Sequence, residues 1–337
     1  MNSLQIFSTR RSKGFFLAGL GAALTAALVV SLLIGSVKAD PRDIFAALLG
    51  RDRESTTARI ILYSRLPRTC AALLAGAALA VSGMVIQTVL NNPLASPSVI
   101  GVNSSAGFAV ALVCALFPTM QKHTPLIAFI GALAGVLLVM VLAQSTVAAR
   151  ITVVLAGVAI SNLFNAGIDA VVTLVPDALN SVTDFRIGGF TGVTMSQLAA
   201  PARIIVASLV LLLTLSHQLD ILSLGTDTAK SLGLAVGRMR IVFLILAAAL
   251  AGAAVSFAGL LGFIGLIVPH IMRRIAGEDS GILLAATALG GAFFMVLCDL
   301  VARVLFSPFE IPVGIVLSFA GAPFFLWLLF RQRGGRV

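Results

Sequence analysis

The run Gly225-Thr226-Asp227-Thr228-Ala229-Lys230-Ser231 has, at first sight, the spacing of a phosphate loop. Such a loop needs a second glycine directly before its lysine, because unobstructed amides must fold into a nest around phosphate oxygens. Ala229 holds that place, and no other segment supplies the motif. The chain is therefore not its own ATPase. Metal and thiol chemistry are no better served. Cys70, Cys114, Cys298, His123, His217 and His270 lie far apart, without Cys-x-x-Cys or paired-His spacing, so neither disulfides nor metal ligation are expected. The segment around Ala229 reads better as a short helix in a loop, opened by Thr226 or Asp227 as N-cap and closed by Gly233. Such a helix can dock in a groove of another protein.

The elements that must position these residues are dictated by composition. Of 337 residues, 59% are hydrophobic and 11% charged, with a mean hydropathy of +1.08, so the solvent for most of the chain is lipid. Apolar windows and their breakers predict an all-α, polytopic membrane protein of about ten spans: 15–35, 66–90, 97–117, 124–144, 151–175, 201–219, 239–258, 262–274, 281–305 and 312–331. The first is too long for a signal-peptide core and reads as a retained span. The plan leaves tails at 1–14 and 332–337, an external loop 36–65, an external cap 176–200 and a cytoplasmic loop 220–238. An even number of spans puts both termini on one side. Both are basic (Arg10, Arg11, Lys13; Arg331, Arg333, Arg336), so that side is read as cytoplasmic.

The net charge of +10 sits in short connections, where headgroups and partner proteins, not nucleic acid, are the counter-charges. On this topology 12 Lys and Arg lie inside and 11 outside, an apparent failure of the positive-inside rule. Seven of the outer charges (Lys38, Arg42, Arg51, Arg53, Arg59, Arg65, Arg68) lie in one region, and without it the count is 12 to 4. That excess needs its own explanation.

Spans are also broken at informative places. Asn91-Asn92-Pro93 ends the second, Pro97 and Asn103-Ser104-Ser105 open the third, and the short eighth carries Pro269-His270 before Arg273-Arg274. Polar backbone at membrane depth is tolerated where it is buried in protein or lines a water-filled path, so the breaks point to a conduit. Asp169 falls within the fifth span and must be paired or solvated, by the pathway or by an intramolecular partner. His270 reads as a structural partner rather than an iron ligand, since a conduit that grips its cargo cannot release it.

Asp227-Thr228-Ala229-Lys230-Ser231-Leu232-Gly233-Leu234-Ala235-Val236 resembles the coupling loop of FecCD-type permeases, the membrane subunits of ABC importers for ferric siderophores, haem and cobalamin. Further segments match in order: Arg65-Leu66-Pro67-Arg68, Asn92-Pro93-Leu94-Ala95-Ser96-Pro97, Gly262-Phe263-Ile264-Gly265 through Pro269-His270, Asp299-Leu300-Val301-Ala302-Arg303, and Glu310-Ile311-Pro312-Val313-Gly314. The resemblance implies a subunit in the bacterial inner membrane that pairs with a second permease, identical or a paralogue. It also implies two ABC ATPase subunits, which hold ATP and Mg, and an extracytoplasmic substrate-binding protein. No cofactor is expected on this chain. By the same resemblance Arg65, Arg68 and Arg303 receive acidic residues of the binding protein at a wet outer rim. Gly225, Thr226, Asp227, Ala229, Lys230, Leu232 and Gly233 meet the ATPase. Asn92, Pro93 and Leu94 form the constriction that closes the pathway inside, and 176–200 forms a gating cap above it.

Two other classes compete. An ion-coupled secondary transporter would show intramembrane acids or an internal repeat, whereas this chain has one clear mid-span acid and no obvious repeat. An intramembrane enzyme would need converging nucleophiles, bases or metal ligands, and the His and Cys are scattered. The expected cargo is a ferric siderophore or related iron chelate, with haem and cobalamin as alternatives.

Overall fold

The computed structural model describes residues 10–35, 55–144 and 149–333, all helix and connection, with no strand among them. Most of the outer loop 36–65, including Lys38, Arg42, Arg51 and Arg53, lies outside the described residues, as do most of the two tails. The spans are α1 (Arg10–Leu33), α3 (Leu66–Leu90), α4 (Val102–Leu116), α5 (Thr124–Gln144), α6 (Ala149–Leu174), α8 (Met195–Thr214), α11 (Val236–Ala258), α12 (Ile264–Ala276), α13 (Ser280–Val304) and α14 (Val313–Arg333). Between them lie the short helices α2 (Thr56–Ile60), α7 (Leu179–Ile187), α9 (Ser216–Ser223) and α10 (Thr226–Ser231). Seven helices among the described residues are long and apolar enough to cross a bilayer. The shorter apolar α4 and α14, with the broken α12, complete the expected ten.

At the centre stands α3, flanked by α13, α11 and α12. Between lipid-like surfaces no hydrophobic effect drives helices together, so close approach must come from small residues. Gly76 of α3 lies against Gly291 of α13, each leaving no room for a Cβ beside the other's carbonyl. A Cβ on Gly83 would overlap the carbonyl of Gly265 on α12, and Gly131 and Gly135 of α5 admit Ser105 of α4. These contacts bury a core of alanine, valine and leucine that includes Ala75, Leu79, Ala247, Ala254 and Met295.

Several boundaries differ from expectation, three of them for a clear local reason. The second span does not begin at 66. It continues a helix from Thr56, capped by Ser55, through a π-helical turn at Ile61–Arg65. The third starts at Val102, because Pro97 and the left-handed Gly101 (φ 84°) hold residues 95–101 as irregular, mostly buried backbone. The sixth runs Met195–Thr214, because Thr194 and Gln197 form a capping box, so residues 195–200 belong to the span and not to the cap.

Candidate functional site

The end of the molecule where α1 finishes and α3 begins carries a buried charge cluster. Arg68 Nε donates to Asp299 Oδ1 at 2.9 Å, and its Nη1 donates to Glu310. Arg303 Nε lies 3.1 Å from Asp299 Oδ2, one helical turn away on α13. Arg303 also donates to the Ser31 hydroxyl (2.6 Å) and carbonyl (3.1 Å) near the end of α1, and Ser31 Oγ lies 2.9 Å from the Thr69 hydroxyl. Arg65 donates to the carbonyls of Leu32 (2.8 Å) and Leu33 (3.0 Å), which the last turn of α1 leaves without helical partners. Two guanidinium groups thus cap one helix C-terminus, and one carboxylate joins α3 to α13.

This differs from the wet rim that the sequence predicts. Arg65, Arg68 and Arg303 are only 5%, 7% and 2% exposed, whereas the Glu310 side chain is 29% exposed. The physical reason is the supply of internal acceptors. Asp299 lies on the same helix face as Arg303, four residues earlier, and the α13–α14 loop brings Glu310 over Arg68. Asp299 and Glu310 stand in the quoted motifs, and the four-residue spacing of Asp299 and Arg303 is the signal that marks them as partners.

Beside the cluster, the cap is held by backbone. Gly189 N donates to Ala258 O (2.8 Å), Leu260 N to Phe185 O (2.9 Å) and Gly314 N to Gly188 O (3.3 Å), so the end of α7 is fastened to α11, to the loop before α12 and to the start of α14. Gly188 has φ 73°, and a Cβ on Gly314 would overlap the Ile187 carbonyl, which is why both positions are glycine. A cavity of about 370 Å³ opens beneath α7, with Ser181, Asp184, Gln197 and Ser256 in its wall. Asp169 has the intramolecular partner that the sequence left as one of two readings: Arg186 Nη1 lies 3.1 Å from its Oδ1, with both side chains largely exposed.

The opposite end holds the Asn-Pro turn. Asn91 adopts a left-handed conformation (φ 48°) that stops α3, Asn92 N donates to Gln87 O (3.0 Å), and Asn92 Oδ1 accepts from Leu94 N (2.9 Å). That side-chain-to-backbone bond is an Asx turn, and Pro93 inside it fixes the geometry. Leu94 is half-buried. Gln87 lies beneath the turn, donating to Gly265 O (3.0 Å) and accepting from Arg273 (3.2 Å), so the turn is tied to the broken α12. A cavity of about 250 Å³ runs from Gln87, Asn91, Asn92 and Pro93 to Ser223, Arg273 and Glu278. His270 packs edge-on to Phe324 with ring centroids 6.1 Å apart.

Next to this turn, α10 presents the loop helix. Its N-cap is Gly225 (φ 104°), not Thr226 or Asp227, and it has no side-chain cap bond. The C-terminal end is as expected, with Gly233 at φ 82° and Leu234 N bonded back to Ala229 O (3.0 Å). Ala229 is buried, Thr226 half-buried, and Asp227, Lys230 and Gly233 face outward. Leu224 and Leu232 flank the helix with 60% and 59% of their surface exposed. Asp220 of α9 accepts from Ser280 N at 2.8 Å and anchors the assembly to the start of α13.

A bundle of membrane-spanning helices with broken spans, buried irregular turns and no metal-binding cluster among the described residues defines a polytopic transport subunit. The chain belongs to the FecCD transport family, whose pattern it matches over residues 23–331. It is 36% identical over 327 residues to an Fe(3+)-citrate import system permease protein of Bacillus subtilis, covering 96% of this chain and 97% of that one. Identity is also 36% over 317 residues to the hemin transport system permease protein of Yersinia pestis (92% and 95% covered). To the Fe(3+) dicitrate transport system permease protein of Escherichia coli it is 38% over 275 residues (81% and 86%). A solved inward-facing structure assigned to the metal-chelate type of ABC transporter superposes with a TM-score of 0.84 at 30% identity, covering 94% of this chain and 99% of that one. The chain is a permease of this kind, and nothing found supports the secondary-transporter alternative.

Proposed function

We propose that the chain pairs with a second permease to form the pathway by which a ferric siderophore or related iron chelate crosses the bacterial cytoplasmic membrane. The observation that carries this is the full-length likeness to permeases of iron-citrate and hemin systems. Both termini lie in the cytoplasm, so the α10 end is cytoplasmic and the arginine cluster external. Two separate ATPases bind ATP and Mg, and this chain holds no cofactor. The α10 segment, with Gly225, Thr226, Asp227, Ala229, Lys230, Leu232 and Gly233, enters a groove on an ATPase, where the protruding Leu224 and Leu232 gain burial. Asn92, Pro93 and Leu94 close the inner side. The substrate-binding protein docks over the surface that Arg65, Arg68 and Arg303 brace, with the partly exposed Glu310 and the cap at its centre.

The test is reconstitution of the permease pair with its ATPases and binding protein in liposomes, with uptake of an iron-55 chelate as readout. Uptake that needs ATP and the binding protein is expected. Uptake driven by a proton or sodium gradient without the ATPases would overturn the reading.

A further inference from the structure

Helix α6 packs on α4 and α5 through Val153, Gly157, Ile160, Gly167 and Ile168, and leaves the opposite face open. On that open face Asn162, Asn165, Asp169 and Thr173 recur at intervals of three and four residues, all exposed. At about 1.5 Å per residue the row is roughly 17 Å long, half the thickness of a bilayer. Asp169 is balanced by Arg186, and the Thr173 hydroxyl donates to the Asp169 carbonyl at 2.7 Å. Neither the Asn162 nor the Asn165 side chain has a hydrogen-bond partner among the described residues, so two carboxamides stand unanswered at membrane depth. Lipid cannot satisfy them. Below the row the same face turns apolar at Val158 and Leu155.

We infer that this row is a cargo-contacting wall that selects a hydrophilic, oxygen-rich ferric chelate over a flat apolar macrocycle such as haem. The inference rests on the importer reading and names its substrate class. The row offers donors and acceptors without net charge, because Arg186 cancels Asp169. A chelate with carbonyl, hydroxyl or carboxylate oxygens at its periphery exchanges bonds to water for bonds to Asn162 and Asn165 as it passes. A macrocycle face leaves those amides dry and unpaired, and a site built to hydrogen-bond its ligand rejects one that cannot. The apolar stretch beneath offers no such bonds, so the chelate is held briefly and released.

Two measurements on the full reconstituted transporter test this. In a variant with Cys70, Cys114 and Cys298 replaced, Asn162→Cys and Asn165→Cys should react with a membrane-impermeant maleimide, and excess ferric chelate should slow the reaction. Crosslinking of either cysteine to a second permease, with no labelling, would show that the row is a subunit interface and overturn the inference. In uptake, the wild type should carry ferric hydroxamate or ferric citrate and reject haemin. Asn162→Leu with Asn165→Leu should lower chelate uptake about tenfold while the ATPase still responds to the binding protein. Haemin transport by the wild type, or full chelate uptake by the double variant, would overturn the inference. Failure of every chelate to move with ATP would instead remove the importer reading beneath it.

Discussion

Asp299 sits between two guanidinium groups at the junction of α3 and α13, with its side chain about 1% exposed. Taking such charges from water is costly, and mutual attraction offsets that cost only when the set is complete. Removing the shared member leaves Arg68 with Glu310 and strips Arg303 of the carboxylate beside it. Asp299→Ala should therefore destabilise the protein by about 3–5 kcal/mol, read as a fall in melting temperature in detergent. Arg68→Met with Asp299→Leu and Arg303→Met should recover much of that loss, since a buried ion set can often be exchanged for apolar groups at little cost. An unchanged melting temperature for Asp299→Ala would mean that the cluster contributes little. The two arginines were conspicuous in the sequence as charges on the wrong side of the membrane. The burial of Arg68 was not, because it depends on Asp299 and Glu310, which lie 231 and 242 residues further along the chain.

At the scale of helices, the close crossings are set by glycines whose neighbours a side chain would displace. A Cβ on Gly83 would overlap the backbone of Gly265, so Gly83→Ala should cost about 1–3 kcal/mol through overpacking. Gly21→Ala on α1, where nothing lies within 4 Å, should be neutral or slightly stabilising. Melting curves of the two variants side by side check this, and equal shifts would dismiss the close approach. The loop helix makes a different prediction. Ala229→Pro removes the Ala229 N–H bond to Gly225 O and costs roughly 3 kcal/mol locally. Insertion should survive while uptake and transport-stimulated ATP hydrolysis fall, and full transport would exclude α10 from coupling. Hydropathy made the long spans legible, because twenty apolar residues admit little else. The start of α8 was legible too, in Thr194 and Gln197, but an apolar window is blind to a capping box. Residues 97–101 were read as the start of the third span. Their irregular course follows from Pro97 and Gly101, whose backbone limits outweigh hydropathy.

On the scale of the whole molecule, the Asn-Pro turn is the place where the proposed two-fold pairing and closure would meet. Its stiffness has three sources: the left-handed Asn91, the Asx bond from Leu94 N to Asn92, and Gln87 beneath, which is tied to Gly265 and Arg273 of α12. A turn held this firmly moves only with the helices that hold it, so Leu94 reports the rigid-body position of α3 and α12. In the proposed two-fold assembly each Leu94 would meet its counterpart, or the equivalent residue of a paralogue, and two apolar side chains at one constriction would exclude water and ions. Leu94→Cys should therefore crosslink across the permease pair in the resting state and less readily in an ATP-trapped state. The measurement is a gel-shift assay with a short bifunctional thiol reagent, in a variant lacking the three native cysteines. The Asx bond uses only the Leu94 backbone N–H, so the cysteine should leave the turn in place. Equal reaction with an aqueous thiol reagent in every state, with no crosslink in any, would mean that the turn ends α3 and does nothing more.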